Sequence, residues 1–198
     1  MGKSMIQRIV RFAVLAGMGA VLLATGAERA FAVEGGAVVT NNVVLDKDLT
    51  TSWVWGLNAG ADNITIDGNG HSLTYVGHLG AGAVNGIQLN SRTNVVIKNF
   101  SRISGFDTGI YVSGGMSNVI ANCRIEDNVC SGVSAMNAEA LTVASNVIRG
   151  THVAVDFTYN NSTSSKLVGN TFSGGRAAIL GTVGTFAGNR MIHQAQST

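Results

Sequence analysis

Gly86-Ile87-Gln88-Leu89 returns as Gly109-Ile110-Tyr111-Val112 and again as Gly132-Val133-Ser134-Ala135. It continues as Ala154-Val155-Asp156-Phe157 and Ala178-Ile179-Leu180-Gly181. The second residue of the tetrad steps by 23, 23, 22 and 24 positions. A fixed period in this range marks a solenoid, in which each unit buries its apolar face only against its neighbours.

A second ladder runs beside the first. Asn99, Asn122, Asn146, Asn170 and Asn189 recur, each followed within a few residues by an apolar one: Ile103, Ile125, Ile148, Phe172 and Met191. Short strand patterns precede most of them, as in Asn94-Val95-Val96-Ile97 and Ala140-Leu141-Thr142-Val143. One period therefore holds about three short β segments punctuated by Gly, Asn, Ser or Asp. Helical repeats need longer segments with a 3.6-residue period, and none is present. A sandwich has no reason to repeat one residue type at one phase, whereas a coil of parallel strands stacks like side chains about 4.8 Å apart. Stacked Asn amides would then satisfy each other, with stacked Ile and Val filling the interior.

The chain opens differently. Lys3, Arg8 and Arg11 precede an apolar run from Phe12 to Thr25, and Ala30-Phe31-Ala32 gives a small-x-small cleavage pattern. Residues 1–32 read as a secretory signal peptide, too short in its apolar part to span a bilayer, leaving one domain over 33–198. The expected location is secreted or periplasmic, with no membrane span after cleavage. The formal charge of +2 belongs to the whole chain. Loss of Lys3, Arg8, Arg11 and Arg29 with Glu28 turns it slightly negative, so no basic footprint for nucleic acid remains. Cys123 and Cys130 would face an oxidising compartment. They suit either a disulfide closing a small loop or one buried and one surface thiol.

The period breaks between Asn69 and Asn99, with surplus residues in Val76-Gly77-His78-Leu79-Gly80-Ala81-Gly82-Ala83. This reads as a protruding loop or a Gly-rich cap. The first coil, with Trp53-Val54-Trp55, is atypical in the way a capping repeat is.

Three stretches resemble a known family: Val43-Val44-Leu45-Asp46-Lys47-Asp48-Leu49, Asp62-Asn63-Ile64-Thr65-Ile66-Asp67-Gly68-Asn69-Gly70-His71, and Gly105-Phe106-Asp107-Thr108-Gly109-Ile110. They are similar to the right-handed parallel β-helix proteins of the pectate-lyase-like superfamily, and more narrowly to the NosD-like, carbohydrate-binding repeat group. The resemblance implies an all-β solenoid of about six to seven coils. It implies little about activity, because one fold hosts many chemistries. Pectate lyases use an Arg-x-Pro-x-x-Arg stretch, which a chain without proline cannot contain. The Asn-Thr-Asp and Gly-His-Gly stretches of polygalacturonases and the Asp-Pro-His-Glu stretch of alginate epimerases are absent too.

Candidate chemistry is therefore sparse. His71, Arg102 and Asp107 are the only set to offer for a lyase or hydrolase with an unfamiliar site. Glu126-Asp127 reads as a solvated turn, with Glu126 facing outward beside the inward Ile125. Arg102, Arg124 and Arg190 stand just before inward residues and Arg149 just after one, so they would line a basic face. Tyr111 and Asp156 flank the other inward ladder. Arg102, Arg124, Arg149, Tyr111 and Asp156 together would suit a glycan, with bidentate donors and a ring to stack on. His71, His78, His152 and His193 are scattered, so no metal site is expected, and no cofactor is implied. The leading expectation is a non-catalytic, glycan-associated or surface interaction module whose partner is a polysaccharide or cell-surface glycan. A polysaccharide lyase or glycoside hydrolase with an atypical site is the first alternative, and a structural role through end-to-end self-association the second, because an uncovered strand edge invites pairing.

Overall fold

A computed structural model describes residues 33–78, 83–160, 162–173, 175 and 177–192. Residues 1–32, where a signal peptide is expected, lie outside the described residues, as do positions 79–82 of the Val76–Ala83 surplus. The described chain winds through three parallel sheets of seven strands each, one strand per sheet on every pass. The first sheet comprises Ala37–Val39, Trp55–Ala59, Asn85–Asn90, Thr108–Ser113, Ser131–Met136, Val153–Tyr159 and Ala177–Gly181. The second comprises Val43–Val44, Thr65–Asp67, Val96–Lys98, Val119–Ala121, Thr142–Ala144, Lys166–Val168 and Thr185–Ala187. The third comprises Leu49–Thr51, Ser72–Tyr75, Arg102–Ser104, Arg124–Glu126, Val147–Arg149, Thr171–Ser173 and Arg190–Ile192. This is a parallel β-helix.

The register follows the sequence ladders. Leu57, Ile87, Ile110, Val133, Val155 and Ile179 pair in succession along the first sheet. Leu73, Ile103, Ile125, Ile148, Phe172 and Met191 do so along the third. The second sheet adds Ile66, Ile97, Ile120, Val143, Leu167 and Phe186. From Ile66 to Leu167 this last column is wholly inaccessible to solvent. The glycine that opens the first three tetrads has a packing reason. A Cβ on Gly109 would lie 2.5 Å from Ile125 Cγ2 and 2.7 Å from the Gly132 carbonyl oxygen, so only hydrogen fits between the first and third sheets there.

The asparagine ladder divides into two phases one residue apart. Asn99 and Asn122 share a corner position with Ser145, Gly169 and Gly188, all at positive φ. There Asn serves first for its backbone, being among the few residues that enter the left-handed region at low cost, and Asn99 Nδ2 also donates to Asp67 Oδ1 at 3.0 Å. The amide ladder proper is the next position: Asn146, Asn170 and Asn189. Asn170 Oδ1 accepts from the Asn146 backbone N–H at 2.9 Å, and Asn170 Nδ2 donates to the Val143 carbonyl at 2.8 Å. Asn189 repeats both bonds one coil on, to the Asn170 N–H and the Leu167 carbonyl. In the preceding coil Cys123 holds this position, and its N–H donates to Asn146 Oδ1 at 2.9 Å. Asn118, Asn128 and Asn160 serve the other corners in the same way, accepting from the N–H groups of Val95, Phe106 and Ala138. These corners turn the chain without orphaning the inward backbone N–H.

The cysteines are free, Cys123 buried and Cys130 exposed. Cys123 donates its thiol to the Ala121 carbonyl at 3.2 Å, and burial pushes its pKa from 9.0 up to about 12. At the far end the same columns run out of cover: Phe186 is 48% and Met191 57% exposed.

Three outcomes follow from this packing. Asn170→Leu orphans a buried N–H and a buried carbonyl, so its unfolding free energy in urea falls by about 3 kcal/mol, whereas Asn122→Gly, which keeps the left-handed corner, changes it little. In the folded protein a maleimide labels Cys130 and spares Cys123 until denaturant is added. The raised Cys123 pKa means that the folded state keeps the thiol proton after the unfolded chain has lost it. Its contribution to stability is therefore full below pH 9.0 and lost as pH rises towards about 12. Urea titrations across that window show this slope diminished in Cys123→Ala.

Candidate functional site

Among the described residues the strands of the third sheet carry more charged side chains than those of either other sheet. Because Ile125 points inward, Arg124 and Glu126 point outward, and the register sets Arg149 directly opposite Glu126. Arg102 lies one coil earlier, beside Arg124, since Ile103 pairs with Ile125. Three guanidiniums thereby converge on one carboxylate. Arg149 Nε donates to Glu126 Oε2 at 2.6 Å, Arg124 Nε lies 3.3 Å from the same oxygen, and Arg102 Nε lies 3.2 Å from Oε1. Arg102 also donates from Nη2 to Asp127 Oδ2 at 2.7 Å.

Glu126 is consequently only 4% exposed, which corrects the expectation of a solvated turn. It does face outward, but the stems of three long side chains roof it over, as arginine stems readily do. Asp127, at a positive-φ corner, remains exposed. The hydrogen bond and charge of Glu126 hold Arg149 above its ordinary pKa. Among the described residues the Nη groups of Arg124 and Arg149 donate no hydrogen bond to the protein. The basic face is a cluster rather than a continuous stripe, because Val147 and Thr171 separate Arg124 from Arg190 in its column.

Tyr111 and Asp156 lie elsewhere. They share an outward column of the first sheet with Gln88 and Ser134, Ser134 standing between them. Asp156 Oδ1 accepts from the Thr158 N–H and hydroxyl. Outward phase alone placed them with the arginines; the sheets they occupy face different sides of the coil. The register sets His71 next to the strand of Arg102, but the side chains of His71, Arg102 and Asp107 each engage other partners. His71 Nδ1 lies 3.4 Å from Asp48 Oδ1, Arg102 is engaged as above, and Asp107 Oδ2 accepts from the Val84 N–H at 2.9 Å. Asp48 also accepts from the Ser72 N–H, which holds it below its ordinary pKa.

Glu126 is the residue that the sequence reading missed. Its signal was present: an outward acid flanked by arginines two residues before, one coil before and one coil after. Among the described residues no group of three or more His, Cys, Asp and Glu is placed to hold a metal ion. A shallow polar depression of about 210 Å³ lies at a corner lined by Asn137, Ala138, Glu139, Asn160 and Ser162, apart from the arginines.

A family model described as a right-handed β-helix region matches residues 30–172. The chain belongs to this family. The coil of parallel sheets is accordingly a right-handed parallel β-helix. No curated protein and no solved structure matches the chain.

Proposed function

We propose that this β-helix protein is exported and acts as a non-catalytic module that binds acidic polysaccharide along the outer face of the third sheet. The observation behind this reading is the cluster of Arg102, Arg124 and Arg149 on three successive coils. It presents excess positive charge on an open sheet face, in a chain whose charge is otherwise nearly balanced. An extended polymer can lie along such a surface, whereas a reaction that must exclude water is better served by a walled cleft. The carboxylates favour binding over hydrolysis as well. Apart from Asp46 and Glu139, each acid among the described residues accepts a hydrogen bond or ion pair. The resemblance to carbohydrate-binding repeats supports the same partner class.

The purified protein is expected to be retarded in a native gel containing polygalacturonate, with retardation falling as salt is raised, and to run freely in a neutral glucan gel. Prolonged incubation with the polymer should release no unsaturated product. Free migration through every acidic polysaccharide contradicts the binding reading, and product release contradicts its non-catalytic part.

One observation favours a second role in assembly. Phe186 and Met191 occupy core columns yet are half exposed on the last described coil, and an open edge of this kind pairs readily with another chain. If copies join there, sedimentation velocity shows a concentration-dependent dimer that Phe186→Ser weakens. A single monomeric species at high concentration removes this role.

A further inference from the structure

We propose that Arg124 and Arg149, set in place by Glu126, form a receptor for a single oxyanion, a carboxylate or sulfate group displayed on the polysaccharide. Arg149 donates Nε to Glu126 Oε2 at 2.6 Å, and Arg124 is ion-paired to the same oxygen with its Nε 3.3 Å away. Their guanidiniums therefore lie side by side above one anchor. A guanidinium carries five N–H donors in a rigid fork. Arg149 Nε is committed to Glu126 and Arg124 Nε is held beside it by the ion pair, and among the described residues the Nη donors of both meet no hydrogen-bond acceptor. Both side chains are about half exposed, so the open donors are within reach of solvent and solute.

Arg102 is not equivalent. Its Nη2 is taken by Asp127 at 2.7 Å. This arm is charge-balanced, and the exposed Asp127 carboxylate repels an anion from that side. The opening is thereby confined to the Arg124–Arg149 side. Three guanidiniums against two carboxylates leave one positive charge uncompensated, which an oxyanion would neutralise through charge-assisted bidentate bonds.

Glu126 acts here as a positioning residue. Because it is almost wholly covered, its carboxylate is a fixed anchor, and the rotamer freedom of two long side chains is lost before the ligand arrives. This separates the proposal from simple attraction to a basic patch, where removing an acid would strengthen binding. The proposal relies on the polysaccharide reading only for what carries the oxyanion.

The test is calorimetric titration of the whole protein with oligogalacturonate, its methyl ester, a sulfated oligosaccharide and inorganic sulfate. Oligogalacturonate or the sulfated sugar should bind, and the methyl ester should bind at least about tenfold more weakly, having lost the charged acceptor. The double variant R124K/R149K keeps the charge but loses the forks, and should lose about tenfold in affinity. Glu126→Gln raises the positive charge and should nevertheless weaken binding. Tighter binding by Glu126→Gln, or lysine variants within about twofold of the parent, overturns the receptor. If Glu126→Gln does not fold, the lysine pair alone decides, its side chains being half exposed. Sulfate binding that the lysine pair abolishes, without binding of any acidic sugar, keeps the receptor and removes its polysaccharide partner. Sugar binding that survives in the lysine pair does the reverse. No binding of any of the four probes removes both.

Discussion

The structure depends on the vertical amide bonds that recur at corners of the coil. Parallel strands of three residues hold one another weakly, and sharp turns between them would leave inward N–H groups without partners. Asn170 shows the solution in one side chain, accepting from the Asn146 N–H of the coil before and donating to the Val143 carbonyl in the strand of that coil. With these bonds in place, Ile, Val and Leu columns stack at the interstrand spacing, and the sheets maintain register over seven strands. Register in turn decides which outward side chains meet.

That dependence explains Glu126. Nothing local to Arg124-Ile125-Glu126 buries a glutamate; it is the coil-to-coil register that places Arg149 over it and Arg102 beside it. An acid between stacked arginines becomes a structural anchor, and the arginines become a surface with donors left over. The first sheet, by contrast, presents Gln88, Tyr111, Ser134 and Asp156 in one mixed polar column. The two faces differ in charge because each column samples a different phase of the same repeat.

The fold was largely legible in the sequence, since periodicity of Ile87, Ile110, Val133 and Val155 translates directly into stacking. The corner chemistry was half legible. Asn99 and Asn146 look alike as letters, yet one supplies a left-handed backbone and the other a buried amide, and a one-residue phase difference is invisible where periods vary between coils. The candidate site was legible as residue types only. Inward and outward could be read from spacing, but which sheet a residue occupies sets which side it faces, and that separated Tyr111 and Asp156 from the arginines.

The central claim is that the Glu126-anchored arginines are the working surface. The most direct measurement is an NMR titration of the nitrogen-labelled protein with an acidic oligosaccharide, following the arginine Nε–H resonances with the backbone amides. The account predicts that the Nε–H signals of Arg124 and Arg149 shift together while the amides of Tyr111 and Asp156 stay in place. Perturbations centred on Tyr111 and Asp156, with the arginine signals unmoved, would contradict it.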